Sequence, residues 1–176
     1  MGSQLERRFL SLIHENDARL RRICRVYAHE SAAREDLHQE ILLQLWRSLP
    51  TFGGASSINT WLYRVALNTA LSFARRAPER REISLDDGQL KVLEVEDTSS
   101  PNAADHLDNE RRLERMEQAI ARLGDVDRML VTMYLDDRSY REIADVVGIS
   151  ESNVGVKLHR LRKLLAAGLA KEEEAV

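Results

Sequence analysis

The chain has 176 residues, of which 43% are hydrophobic and 31% are charged, and this composition is typical of a globular protein rather than a disordered one. Because Cys24 is the only cysteine, an intrachain disulfide framework and a cysteine-based zinc site are excluded. No apolar run reaches the length of a membrane span and the first residues lack the pattern of a signal peptide, so we expect a cytoplasmic protein. The 8 glycines and 3 prolines cluster outside the periodic segments, which favours an all-α fold.

The net charge of -3 conceals an uneven distribution along the chain. Residues 1–81 carry 13 basic and 8 acidic side chains, residues 82–110 carry 1 and 9, and residues 111–176 carry 12 of each. The acidity is therefore concentrated in the middle of the chain. The two ends keep a local basic or neutral character that is compatible with a nucleic-acid partner.

Apolar residues at helical spacing predict two short helices at the start of the chain. The second of them spans roughly Asp17 to His29 and carries Cys24 on its apolar stripe. Two interpretations of this thiol are open: a buried core group, or a redox sensor. The first helix is marked by Leu5, Phe9, Leu12 and Ile13.

Two further helices are predicted before residue 81. A near-constant spacing of four marks the third helix, which stops at Pro50 and is followed by a loop over residues 52–57. Ser57 is positioned to cap the fourth helix, which runs from Ile58 to about Ala77. The apolar stripe of the third helix consists of Leu37, Ile41, Leu45 and Leu49.

Residues 82–106 have no sustained helical period and are predicted to form a flexible acidic linker. It joins two small helical domains, residues 1–81 and residues 107–172. Two roles of the linker are open, because its acidity suits either a nucleic-acid mimic in a basic channel or a merely solvated connection.

The second domain is predicted to contain four helices, the first from Leu107 to Leu123. Gly124 closes that helix and Asp125 is expected to cap the next one, which ends at about Leu135. Ser139 and Glu142 have the spacing of a capping box that opens a short helix. After a turn at residues 148–150, the last helix extends from Glu151 to about Leu169.

The last two helices have the anatomy of a DNA-reading helix-turn-helix. At 100° per residue, one face of the last helix is apolar and packs on its domain, while the opposite stripe carries no acidic residue. Arg160 and Lys163 suit phosphates or guanine edges, and Val156 suits a thymine methyl. The alternative is a basic face that is only solvated. The DNA-binding candidates are Ser152, Asn153, Gly155, Val156, His159, Arg160 and Lys163.

Three segments, in order, resemble the extracytoplasmic-function (ECF, group IV) sigma factors of bacterial RNA polymerase. Asp36 to Trp46 (DLHQEILLQLW) resembles their polymerase-binding helix, and Trp61 to Ala70 (WLYRVALNTA) resembles their promoter-melting helix. Ser139 to Arg162 is similar to their second domain. The resemblance implies two helical domains, called region 2 and region 4, with no domain between them.

The resemblance also implies roles for individual residues. For region 2 it implies contact with the clamp helices of the polymerase β′ subunit, although Trp46 is also compatible with a core position. Further partners implied are the β flap, promoter DNA and an anti-sigma factor. The polymerase-binding candidates are Asp36, Gln39, Glu40, Leu43 and Trp46. The candidates for the −10 promoter element are Phe52, Asn59, Arg64, Asn68, Arg75 and Arg76, the last two as cations for the DNA backbone.

Two other classes of function were weighed against a sigma factor. A helix-turn-helix regulator that acts without polymerase would need a sensor or dimerisation domain, and residues 1–81 resemble neither. An enzyme is disfavoured because the 5 histidines are scattered without metal or triad spacing. We therefore expect no catalytic residue, no metal site and no cofactor.

Overall fold

The computed structural model describes residues 2–76 and 104–173, so most of the predicted linker lies outside the described residues. Within those ranges all regular secondary structure is helical, which confirms the all-α prediction. None of the helices in these ranges is long and apolar enough to cross a membrane. The helices are α1 (Gly2–Tyr27), α2 (Ser31–Ser48), α3 (Ile58–Arg76), α4 (Ala104–Ala121), α5 (Asp125–Leu135), α6 (Tyr140–Val147) and α7 (Glu151–Glu173), with a 3-10 turn at Leu49–Thr51.

The prediction of two short helices at the start of the chain is wrong, because α1 is continuous from Gly2 to Tyr27. No glycine or proline separates the two apolar stripes, and the polar stretch between them is held within the helix. The buried side chain of Asn16 donates to the Leu12 carbonyl at 2.9 Å, and Arg21 pairs with Asp17 one turn away at 2.8 Å. A polar stretch was thus mistaken for a break.

The N-terminal domain is a bundle of α1, α2 and α3. The predicted stripe of α2 lies in its core with Leu20, Ile23 and Tyr27 of α1, whereas α3 contributes Tyr63 and Leu67, which the predicted stripe did not include. Ser57 caps α3 as predicted, accepting from the Thr60 amide at 3.0 Å. Cys24 is 2% exposed, and this burial raises the pKa of its thiol to about 12. The thiolate is therefore disfavoured, which supports the core interpretation over a redox sensor.

The C-terminal domain consists of α4 to α7, and α4 begins three residues earlier than predicted, at Ala104. The capping box is confirmed: the Ser139 hydroxyl accepts from the Glu142 amide, and the Glu142 carboxylate accepts from the Ser139 amide. The predicted cap at Asp125 is wrong, because Gly124 is the N-cap of α5 and Asp125 is its first helical residue. Its carboxylate instead bonds to Arg75 in the other domain.

The turn between α6 and α7 matches the predicted helix-turn-helix. Gly148 has φ +81°, a left-handed conformation that glycine adopts without a steric penalty. The Ser150 hydroxyl then accepts from the Asn153 amide at 3.3 Å and caps α7. The predicted packing face is confirmed, since Val154, Leu158 and Leu161 are buried.

The two domains pack against each other, and their buried apolar residues form one continuous cluster. Helix α1 contacts α4, while α3 contacts both α5 and α6. Polar groups also cross this boundary. The Tyr63 hydroxyl donates to the Asp136 carboxylate at 2.8 Å, Arg22 pairs with the same carboxylate, and Arg25 pairs with Glu117 at 2.6 Å.

The capping box predicts the effect of Ser139→Ala on stability. The substitution leaves the Glu142 amide without its side-chain acceptor, and we expect the free energy of unfolding to fall by about 1 kcal/mol. Urea denaturation followed by circular dichroism measures this change. Ser72→Ala, on the exposed side of α3, is the matched control and should leave the urea midpoint unchanged or slightly higher. Equal midpoints for the two variants would contradict the cap's contribution.

Candidate nucleic-acid and protein interfaces

The outer face of α2 presents two large apolar side chains among polar ones. Leu43 is 44% exposed and Trp46 is 39% exposed, and the indole of Trp46 also meets the Phe9 ring edge-on at 5.1 Å between centroids. Asp36 and Gln39 are exposed beside them, whereas Glu40 is half-buried and bonds to Arg76 at 2.5 Å. Trp46 is therefore anchored by α1 and still open to a partner. An exposed aromatic with a polar surround is typical of a protein interface.

One face of α3 carries three of the predicted −10 residues. Arg64, Asn68 and Arg75 are exposed and share a face because they recur at helical spacing, while Tyr63, Leu67 and their neighbours are buried. The guanidinium groups of Arg64 and Arg75 can bind backbone phosphates, and the side-chain amide of Asn68 between them can bond to a base edge. The structure does not bring Arg76 to this stripe, since its guanidinium is turned to Glu40 of α2.

Phe52 lies in the loop before α3 rather than on the helix. Its ring packs against Trp61 with 5.2 Å between centroids, and the Arg8 guanidinium lies 5.9 Å from the centroid of the Phe52 ring. Asn59 is half-buried at the start of α3, and the space around Gly53 and Gly54 is open. The loop thus offers aromatic surface beside a cation. The position of Arg8 could not be predicted from the sequence, because only the tertiary fold brings α1 to this loop.

The outward stripe of α7 is exposed as predicted. Ser152, Asn153, His159, Arg160 and Lys163 are all accessible, and Val156 is 52% exposed. No acidic side chain of the described residues is paired with Arg160 or Lys163, so both remain available to phosphates.

Two other basic residues of α7 are engaged by their own domain. Lys157 pairs with Asp127 at 2.7 Å, and the Arg162 guanidinium lies 6.0 Å from the Tyr134 ring centroid. Gly155 is half-buried against Tyr140, whose ring would lie 3.4 Å from an added Cβ. Tyr140 itself is 40% exposed beside the stripe. It was not among the candidates taken from the sequence, because its contact with α7 depends on the angle between α6 and α7.

The C-terminal domain reaches the α3 stripe at both ends. Arg64 donates to the backbone carbonyl of Asp145 at 2.8 Å, and Arg75 donates to the carboxylate of Asp125 at 2.7 Å. Asn68 lies between them on the same face. Within the part of the chain that the structure describes, no group of three or more histidine, cysteine or acidic side chains could hold a metal ion.

Comparisons with known proteins give a family match for each of the two helical domains. Residues 12–80 match the family Sigma-70 region 2, and residues 113–165 match the family Sigma-70, region 4. The chain is 30% identical over 149 residues to the RNA polymerase sigma factor YlaC of Bacillus subtilis, covering 83% of each protein. It is 33% identical over 138 residues to the ECF RNA polymerase sigma-E factor of Escherichia coli K12, covering 74% of this chain and 70% of that one.

A solved structure shares the fold. CnrH, in its complex with the cytosolic domain of CnrY, superposes with a TM-score of 0.67 at 21% identity, over 94% of this chain and 90% of that one. Its likeness extends across both helical domains. The two family matches and the relatives show that this chain belongs to the ECF family of sigma factors and is an alternative sigma factor that directs RNA polymerase to promoters.

Proposed function

We propose that this sigma factor binds core RNA polymerase through the outer face of α2, against the clamp helices of the β′ subunit. The observation that carries the proposal is the exposed pair Leu43 and Trp46, with Asp36, Gln39 and Glu40 around it. Apolar side chains left open on a helix that otherwise packs well need a partner surface, and polar neighbours fix its register. The C-terminal domain would contact the β flap.

The α3 stripe and the preceding loop would hold the −10 element once its bases are unstacked. Arg64 and Arg75 supply cations for the backbone, Asn68 supplies an amide for a base edge, and Phe52 supplies a ring. Asn59 and Arg76 would contribute from the two ends of α3. Capturing unpaired bases stabilises the open DNA, so strand separation needs no catalytic residue in this chain, and phosphodiester chemistry belongs to the polymerase.

The outward stripe of α7 would read the −35 element in the major groove. Its polar N-terminal end, with Ser152 and Asn153, would bond base edges, and Val156 would contact a thymine methyl. Arg160 and Lys163 would fix the helix on phosphates, with His159 between them. Gly155 has a packing explanation in Tyr140, so its contribution to DNA binding is the weakest of this set.

An anti-sigma factor is a further proposed partner. CnrH, which shares this fold, is held in complex with the cytosolic domain of CnrY. We propose that a comparable protein domain binds this chain and keeps it from polymerase in the cytoplasm.

The domain proposed for binding polymerase and the −10 element would comprise residues 1–81. The domain proposed for the −35 element would begin with α4.

Gel filtration with core polymerase tests the sigma proposal against a regulator that acts without polymerase. A sigma factor elutes with the polymerase as a stable complex. A chain that elutes only at its own size, while it still binds duplex DNA, would favour the independent regulator instead.

Leu43→Ala should weaken the complex with core polymerase. The side chain is exposed, so folding is little affected, and we expect a loss of about 1.4 kcal/mol of binding free energy, a tenfold rise in Kd. Fluorescence anisotropy of labelled protein titrated with core polymerase measures this. Leu10→Ala, which removes a leucine of α1 that is more exposed than Leu43, is the control. The same Kd for both variants would show that α2 is not the binding face.

Asn68→Ala should weaken open-complex formation more than binding of duplex promoter DNA. The amide is proposed to meet a base only after the strands separate, so we expect about tenfold less open complex in a permanganate footprint of melted thymines. Ser72→Ala, one turn further along α3, is the control. An equal loss in duplex binding and opening would refute the assigned role.

Arg160→Ala should reduce binding to a duplex −35 element and flatten its salt dependence. Loss of one phosphate contact lowers the slope of log K against log salt by about 1. Arg162→Ala is matched in charge and in helix, but Arg162 lies beside the packing face over Tyr134. If both variants gave the same slope of log K against log salt, the face of α7 that carries Arg160 would not be the DNA-reading face.

A further inference from the structure

The surface that we propose for the −10 strand continues from α3 onto α1. Trp61 is half-buried one turn before Arg64, on the same side of α3, because residues three apart in a helix are neighbours. The Phe52 ring packs on Trp61 with 5.2 Å between centroids, and the Arg8 guanidinium lies 5.9 Å from the centroid of the Phe52 ring. A line of contacts therefore leads from the α3 stripe, through two aromatic rings, to a cation near the start of α1.

The guanidinium group of Arg8 is available to an anionic partner. Its side chain is exposed, and within residues 2–76 and 104–173 no acidic side chain pairs with it. Glu15 lies two turns further along the same side of α1, where its carboxylate accepts from the Ser11 hydroxyl at 2.9 Å. A guanidinium that rests on an aromatic ring keeps its N–H groups for oxygen acceptors. Arg8 thus combines a contact to Phe52 with free donors.

The loop beside these rings leaves room for a nucleotide. A Cβ added at Gly53 or Gly54 would meet no heavy atom within 4 Å, and both glycines are exposed. Phe52 is half-buried, so part of its ring is accessible. Single-stranded nucleic acid binds where bases meet aromatic side chains and phosphates meet neighbouring cations, and Phe52 with Arg8 offers both groups.

Arg8 owes its position to the length of α1. It precedes residues 12–80, the part of the chain that matches Sigma-70 region 2. Because α1 is one continuous helix from Gly2 to Tyr27, its first turns extend beside the loop that precedes α3. Two separate short helices, as predicted from the sequence, would not fix Arg8 at this place.

We propose that Arg8 binds a backbone phosphate of the opened −10 strand, at the nucleotide that lies beside Phe52. The contact with the Phe52 ring holds the guanidinium near the loop before DNA arrives, so less side-chain entropy is lost on binding. The strand would run from Arg75 and Arg64 on α3, past Phe52, to Arg8 on α1. This inference rests on the proposed −10 role of α3 and the loop.

Arg8→Ala in the holoenzyme tests this phosphate contact. The probe is a fluorescein-labelled promoter fragment whose −10 element is held open by mismatches, and its Kd is measured by anisotropy over a range of salt concentrations. The holoenzyme is assembled with saturating sigma factor, so that a change in binding to core polymerase does not enter the measurement. Arg7→Ala is the matched control, because Arg7 is adjacent and equally charged but lies 100° further round the helix.

We expect Arg8→Ala to bind the opened fragment about fivefold more weakly than the wild type, the upper range for one exposed ion pair. The slope of log K against log salt should fall by about 0.7, the value for one phosphate of a single strand. Arg8→Lys keeps the charge and should keep the slope, with affinity between those of the wild type and Arg8→Ala. Arg7→Ala should leave both quantities unchanged.

Three outcomes would overturn the proposal. The first is wild-type affinity of Arg8→Ala for the opened fragment, and the second is an equal loss in Arg7→Ala. The third is weaker binding by Arg8→Ala with an unchanged salt slope, because Arg8 would then only support the Phe52 ring. A duplex fragment that carries the −35 element alone is the DNA control, and Arg8→Ala should bind it like the wild type.

Failure of the −10 assignment itself has a separate signature. In that case Arg64→Ala and Asn68→Ala also bind the opened fragment like the wild type. If only the inference about Arg8 fails, these two variants bind the opened fragment more weakly while Arg8→Ala does not.

Discussion

The carboxylate of Asp136 is almost out of reach of water, and its partners come from the other domain. Tyr63 donates at 2.8 Å from the middle of α3, and Arg22 pairs with it from α1. Burial of an unpaired charge is costly, so α5 can pack against the N-terminal bundle in this position only because these two side chains bond to the Asp136 carboxylate. The contacts of α6 with α3, and those of α4 with α1, accompany this arrangement. In a sigma factor the cluster joins the domain that we propose for −10 recognition to the domain that we propose for −35 recognition.

Most helices could be predicted from the sequence because their signals are local. The box of Ser139 and Glu142, the turn at Gly148 and the cap at Ser57 each depend on residues within a few positions of one another, and the structure contains all three. The same reasoning failed at Asn16, where a polar residue was read as a break although it is buried and bonded inside α1. It failed again at Asp125, whose carboxylate is used by Arg75 of the other domain rather than by its own helix.

The candidate interfaces also combine features that depend on nearby residues in the sequence with features that depend on the tertiary fold. The outward stripe of α7 follows from helical periodicity alone, and its residues are exposed as predicted. Glu40 and Arg76 were assigned to different partners, yet the fold joins them in one ion pair. Arg8 beside Phe52 and Tyr140 beside Gly155 depend on how helices cross, which is set by packing between segments far apart in the chain. The polymerase assignment came from resemblance, and family comparison established the class that physical reasoning had left open.

In vitro run-off transcription with core polymerase on a genomic library tests the central claim most directly. The account predicts transcripts that appear only when this protein is added and whose start sites share two sequence elements, one near −10 and one near −35. Transcription that is the same with and without the protein, on a library to which the protein alone binds, would contradict it.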